Sequence, residues 1–235
     1  GSRRAFEMGK QIHDEIVARG ILENNVMLGT ALVDMYAKCK MPEKAQEVLQ
    51  NLPLRDVVCW NAMMTGYVHD GFSCNALKLF WKMQREEVKP DEVSILSALQ
   101  ACGQIGAISH GRMVHCVAIE TNLTAGTVIG RSLVDMYAKC RSMLDAFCVF
   151  QSIQKRDVVS WCTLITGYVD QGFNEEAILM FNKMQQVDGI LPNRATFLCL
   201  LRACANLASL EKGRWAHVNL SKYGMDLDIF VGSTL

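Results

Sequence analysis

Residues 34–39 read Asp-Met-Tyr-Ala-Lys-Cys, and the same six residues return at 135–140, 101 positions later. Asp56-Val57-Val58-Cys59-Trp60 returns as Asp157-Val158-Val159-Ser160-Trp161 at the same spacing. His13, His115 and His217 stand 102 apart, as do Ala101-Cys102 and Ala203-Cys204. Four separate recurrences at nearly one period mark an internal repeat, and a repeat of this kind decides the fold before any local propensity is weighed.

Each long period divides into three shorter units. Residues 26–56 form a unit of 31, 57–91 one of 35 and 92–126 one of 35; the cycle restarts with 127–157, 158–193 and 194–228. A partial unit precedes Val26 and another begins at Ile229. Each unit reads as two helices. In 57–91, Asn61 to Val68 suits a first helix and Asp70-Gly71 a turn, after which Ala76, Leu77, Phe80 and Met83 recur at the three-to-four spacing of an amphipathic second helix. Pro90 closes that unit, Pro42 suits the first position of a second helix and Pro53 follows its end. One such hairpin cannot bury both apolar faces, so neighbours must stack. The expected fold is all-α, a solenoid of helix-turn-helix repeats with a long groove.

Composition narrows the function classes. The chain has 235 residues, a formal net charge of zero and 50% hydrophobic residues. No apolar run approaches the roughly 18 residues that a membrane helix needs, so no membrane partner is expected. Gly1-Ser2 reads as a cloning scar, which makes a fragment of a longer protein the expectation. The ten cysteines are dispersed without any C-x-x-C pair, which argues against zinc ribbons and redox motifs and for buried thiols in a reducing compartment. The basic excess usual in nucleic-acid binders is absent from the total.

No catalytic signature is present: the chain lacks G-x-S-x-G, a phosphate loop and H-E-x-x-H. His13-Asp14-Glu15 spells H-x-E, but no P-C-x-x-C follows to complete a deaminase zinc site. The three repeated histidines and the repeated cysteines would lie in separate repeats and so are read as packing or capping groups. Trp60 and Trp161 are read as core. The chain is therefore expected to be no enzyme and to need no cofactor or metal.

The alternation of 31, 35 and 35–36 residues resembles the PLS subclass of plant pentatricopeptide-repeat proteins, whose P, L and S motifs recur as triplets. Residues 57–91 resemble a P motif throughout, Leu133 to Arg141 an S-motif core, and Ala101-Cys102 through His115 an L motif. The resemblance makes 1–25 a partial L-type repeat, 26–56 S-type, 57–91 P-type, 92–126 L-type, 127–157 S-type, 158–193 P-type, 194–228 L-type and 229–235 a truncated S-type, all in one right-handed superhelical solenoid.

It also implies binding of single-stranded RNA, one nucleotide per motif, for organellar RNA editing or processing in a mitochondrion or chloroplast. Base edges would be read by the fifth and last residues of a motif: Thr30/Asp56, Asn61/Asp91, Leu96/Gly126, Arg131/Asp157, Cys162/Asn193 and Leu198/Asp228. The first two pairs place a short hydroxyl or amide beside a carboxylate, a compact donor–acceptor set for an unstacked base; they imply G and U. Leu96 and Leu198 cannot hydrogen-bond a base, and Arg131 and Cys162 depart from the family's short polar residue. The second residues, Met27, Val58, Val93, Val128, Val159 and Ala195, are all apolar and would pack on base faces. Lys38 and Lys139, at matching places in the two S motifs, are candidates for phosphate contact. The alternative reading is a protein-interaction scaffold, in which L-type repeats meet organellar RNA editing factor proteins. Some proteins of this subclass carry a deaminase-like domain after their repeats.

Overall fold

The computed structural model describes residues 2–52 and 55–223. Asp228, the expected truncated motif at 229–235, and Pro53 lie outside them. Among the described residues the regular structure is entirely helical. The α-helices are α1 (Ser2–Ala18), α2 (Val26–Lys38), α3 (Pro42–Asn51), α4 (Val57–His69), α5 (Ser73–Arg85), α6 (Glu92–Ile105), α7 (Ile108–Glu120), α8 (Thr127–Lys139), α9 (Met143–Ser152), α10 (Val158–Asp170), α11 (Asn174–Gln186), α12 (Arg194–Asn206) and α13 (Leu210–Lys222). Short 3-10 turns cover Ile21–Asn24 and Leu123–Ala125.

The chain divides into two compact units, Gly1–Leu123 and Thr124–Leu235. In the first, α2, α4 and α6 pack side by side, and α3, α5 and α7 pack against them as the second members of helix hairpins. In the second, α8, α10 and α12 form the corresponding row, with α9, α11 and α13 as their partners. Each row is thus built from the first helices of successive hairpins.

Local chemistry explains where these helices begin and end. The spacing of apolar residues suggested a first helix over Asn61 to Val68, but α4 starts four residues earlier, at Val57. The side chain of Asp56 accepts the amide of Cys59 and so satisfies a donor that would otherwise be orphaned, which extends the helix back to the cap. The turn after α4 falls at Asp70-Gly71, with Gly71 at φ 82°, a conformation open to glycine at no steric cost. Gly172 repeats it at φ 83°. Pro42 occupies the first turn of α3, where a missing N–H costs nothing.

The core follows from the amphipathic pattern. Ala76, Leu77, Phe80 and Met83 of α5 are all buried, as are Trp60, Trp161, Cys102 and Cys204. Burial at equivalent places in both units makes packing the role of these residues. His13 behaves in the same local way: its Nδ1 lies 2.9 Å from the Tyr36 hydroxyl, and the two rings meet edge to face. Among the described residues, no group of three or more His, Cys, Asp or Glu side chains could hold a metal ion.

Two close approaches between neighbouring first helices are made over glycine. A Cβ at Gly66 of α4 would lie 2.5 Å from the Cβ of Ala37 in α2, and one at Gly167 of α10 would lie 2.7 Å from the Cβ of Ala138 in α8. Neither alanine has a flexible end that could swing aside. Alanine is favoured over glycine by about 1 kcal/mol in a helix, but overpacking costs about 1–3 kcal/mol. Gly66→Ala and Gly167→Ala are therefore each expected to lower the urea midpoint of unfolding. A raised midpoint would show that the first helices can part without cost.

Candidate nucleic-acid interface

The last residue of a motif is, in this structure, the N-cap of the first helix of the next. Asp56 caps α4, Asp91 caps α6, Asp157 caps α10 and Asn193 caps α12. In each, a side-chain oxygen accepts the amide three residues on, at 2.9 Å from Cys59 and Ser94, 2.8 Å from Ser160 and 3.0 Å from Thr196. Asp91, Asp157 and Asn193 show the pattern D-x-x-S or N-x-x-T, a capping signal legible in sequence, whereas Asp56 has Cys59 at the third place. The cap fixes each of these side chains at a helix start, where Asp91 meets Asn61 and Asp157 meets Arg131, the fifth residues of the motifs they end.

Motif 57–91 shows the arrangement most fully. The Asn61 Nδ2 donates to both carboxylate oxygens of Asp91, each at 2.9 Å. The Ser94 hydroxyl lies 2.6 Å from the Asn61 Oδ1 and 2.9 Å from the Asp91 Oδ1. Asn61 is buried, at 7% exposure. Burial alone would push the Asp91 carboxyl up, but the Ser94 amide, the Asn61 side chain and the Ser94 hydroxyl together hold it below its ordinary value. The carboxylate is thus ionised.

Motif 26–56 is built differently. Thr30 donates its hydroxyl proton to the Val26 carbonyl at 2.9 Å, and the Cys59 sulfur lies 2.7 Å from the same oxygen. Because the hydroxyl has one proton and has spent it, the thiol is the donor of the second contact. Burial pushes the Cys59 thiol up, which keeps it protonated for that role.

The two departures from the short polar pattern turn inward. Arg131 donates to the Asp157 carboxylate at 3.2 Å, and Asp157 also accepts from the Ser160 hydroxyl at 2.7 Å. Against the upward pull of burial, the Ser160 hydroxyl and amide and the Arg131 charge hold the Asp157 carboxyl below its ordinary value. Interaction with the Cys199 sulfur of α12 pushes the Cys162 thiol up and the Cys199 thiol down. The Thr166 hydroxyl lies 3.1 Å from that same sulfur. Asn193 is engaged with Thr196 in a capping box. Leu96 and Leu198 are half-buried, and Gly126 precedes α8 as its N-cap.

Around these polar pairs stand the second residues, and every one of them is exposed. Met27 is 84% exposed, Val58 54%, Val93 47%, Val128 41% and Val159 48%; Ala195 is exposed as well. Burial by the protein's own core cannot explain an apolar residue kept in water at the same place of each motif. In the first unit, Met27, Thr30, Val58, Asn61, Asp91 and Val93 all line one groove of about 820 Å³. In the second, a smaller recess of about 250 Å³ brings together Lys139, Val159 and Cys162.

Lys38 lines the first groove, and it and Lys139 each hold an aspartate one turn earlier on their own helix, Asp34 and Asp135, at 2.7 Å. Exposed pairs of this kind contribute only about 0.3–0.5 kcal/mol, so either ammonium can be drawn to another anion at little cost. The sequence reading missed Ser94, Cys59 and Cys199. The capping pattern could have singled out Ser94 and the residues equivalent to it, whereas the meeting of Cys162 with Cys199 carries no local sequence signal.

The profile described as PPR repeat family matches residues 55–104 and 156–206, and the profile described as PPR repeat matches 30–57 and 131–158. A pentatricopeptide repeat-containing protein of Arabidopsis thaliana is 37% identical over 228 residues, 97% of this chain and 31% of its own length. Another from Arabidopsis thaliana, named chloroplastic, is 35% identical over 232 residues, 99% of this chain and 37% of its own length; others in the same species are named mitochondrial. The chain spans about a third of the length of these curated relatives. The crystal structure of the pentatricopeptide repeat protein PPR10 from maize is similar in fold, with a TM-score of 0.68 at 21% identity, covering 87% of this chain and 30% of that one. Repeat profiles covering most of both halves, relatives aligned along nearly the whole chain, and a shared helical fold agree: the chain belongs to the pentatricopeptide-repeat family.

Proposed function

We propose that this chain is a sequence-selective module for single-stranded RNA, with one nucleotide facing each motif. The observation that carries the reading is the exposed apolar residue at the second place of each motif; in the first unit Met27 and Val58 share one groove with Thr30, Asn61 and Asp91. An apolar face kept in water gives a base a surface to stack on, and such stacking is worth about 1–3 kcal/mol per base. The polar pair then meets the base edge. Met27, Val58, Val128 and Val159 are the packing residues of the four motifs with polar pairs.

The donor–acceptor inventory supports a choice of base at two motifs. Thr30 has spent its proton on Val26, and the Asp56 carboxylate can only accept. This pair offers acceptors alone and suits guanine, whose Watson–Crick edge presents adjacent N1–H and N2–H donors. The Asn61/Asp91 pair mixes an amide donor with carbonyl and carboxylate acceptors, which suits uracil with its N3–H between two carbonyls. Arg131/Asp157 and Cys162/Asn193 occupy the same places, with a guanidinium and a thiol where the other two motifs carry a short hydroxyl or amide. Lys38 and Lys139 reach phosphate by exchanging their aspartate partners.

The relatives named chloroplastic and mitochondrial favour an organelle as the site of action, and RNA editing or processing as the process served. Docking of editing factor proteins is the second reading. It is favoured by Leu96 and Leu198, which cannot hydrogen-bond a base at the place where the other motifs carry a polar group. Pull-down from an organelle extract with and without nuclease separates the two, since a direct protein partner survives the nuclease.

Fluorescence anisotropy at low salt is expected to show preference for short single-stranded RNA over double-stranded RNA and single-stranded DNA of the same sequence. Equal affinity for all three would remove the RNA reading. Within a bound RNA, Asn61→Thr is expected to move the preferred base opposite motif 57–91 from U toward G, by about fivefold or more, on the order of one hydrogen bond. An unchanged preference would reject the base-reading role of that pair.

A further inference from the structure

We infer that Ser94 is a positioning residue for base selection: it fixes the carboxamide of Asn61 so that one donor–acceptor face is held toward the RNA. The inference rests on the reading of Asn61/Asp91 as a base-selecting pair and adds a third residue, supplied by the next motif.

The argument starts from the protons available. The Asp91 Oδ1 already accepts the Ser94 amide at 2.9 Å and the Asn61 Nδ2 at 2.9 Å. The Ser94 hydroxyl has one proton and two acceptors in reach, the Asn61 Oδ1 at 2.6 Å and the Asp91 Oδ1 at 2.9 Å. The shorter contact and the less crowded acceptor both direct that proton to Asn61. The Ser94 hydroxyl also accepts the Asp91 amide at 3.3 Å, so its orientation is set from two sides. Asn61 is then gripped at both ends of its carboxamide, nitrogen against carboxylate and oxygen against hydroxyl. A flipped amide would set its oxygen against the Asp91 carboxylate, two acceptors facing each other without a proton between them.

A helix cap alone does not require this. Capping is complete with the Ser94 amide on Asp91 and the Asp91 amide on Ser94. The 2.6 Å contact to Asn61 is additional, and it lies on a serine that is completely buried. Equivalent places in other motifs sharpen the point. Cys59 reaches the fifth residue of the preceding motif, Thr30, at 2.7 Å. The described bonds of Ser160 and Thr196 instead reach the capping residues Asp157 and Asn193. Contact with the fifth residue is thus recorded in the two motifs whose fifth residue is a short polar group.

The test uses the chain described here, four RNAs that differ only in the base facing motif 57–91, and four more that vary the base facing motif 26–56. Ser94→Ala is expected to reduce the preference for U opposite motif 57–91 by about fivefold, the size of one hydrogen bond. Preference opposite motif 26–56 should hold, and Ser94→Thr, which keeps the hydroxyl, should restore the lost selectivity. In the RNA-free protein, the Asn61 carboxamide protons should exchange with solvent faster in Ser94→Ala than in the unaltered chain, as read by side-chain amide NMR. Unchanged preference and exchange in Ser94→Ala, while Asn61→Thr still moves the preferred base, would overturn the positioning role and leave the base-reading pair intact. Equal weakening for all eight RNAs would reduce Ser94 to a helix cap. Failure of Asn61→Thr to move the preference would overturn the pair and the positioning role together.

Discussion

The hydrogen bond on which the rest depends is the cap that closes one motif and opens the next. Asp56, Asp91, Asp157 and Asn193 each hold the amide three residues into the following helix. A cap of this kind contributes about 0.5–2 kcal/mol, modest beside the burial of a Trp or Phe. Its importance is geometric. It fixes where the next first helix starts, and so which residue becomes the second, third and fifth of that motif. Asp91 and Asp157 also bond the fifth residue of the motif they end, so there the proposed selecting group is also a folding group.

That sharing limits what can vary. A carboxylate that satisfies a helix start cannot be replaced by an apolar residue without exposing an orphan amide. The fifth residue is freer, because its helix does not need it: Thr30, Asn61, Arg131 and Cys162 all stand there in otherwise similar helices. What that residue offers the groove depends on its neighbours. Arg131 closes on Asp157, the cap of the next first helix, and Cys162 interacts with the Cys199 thiol of α12. Thr30 and Asn61 are held by groups from the next motif, Cys59 and Ser94.

Close helix packing supplies the complementary constraint. Where Gly66 meets Ala37 and Gly167 meets Ala138, no room remains for a further carbon. This approach is near enough for a serine or cysteine on one helix to touch the fifth residue of the previous one. The second residues, outside that contact, stay in water and keep their apolar surface free. Neutral total charge is compatible with this design because contact with a base, unlike contact with phosphate, needs no excess of lysine.

Most of the fold could be read from spacing alone. A period of 101–102 residues repeated in DMYAKC, in DVV-x-W and in the histidines requires equivalent residues to meet equivalent surroundings, and only stacked hairpins satisfy that. The second-place apolar residues and the last-place carboxylates could also be named from position within a motif, though as candidate RNA contacts and not as helix caps. Even the Lys38–Asp34 pair lies at a helical i,i+4 spacing. The beginning of α4 was misjudged by four residues because apolar periodicity carries no information about a cap. What the linear chain could not disclose is how polar side chains settle among partners about thirty residues away. Asn61 with Ser94, Arg131 with Asp157 and Cys162 with Cys199 are each set by the separation and register of adjacent helices. Sequence alone determined which residues occupy the second, fifth and last places of each motif; the tertiary structure decided which partners hold each polar side chain, because the direction in which a hydrogen-bonding group points is set by its neighbours across the helix interface.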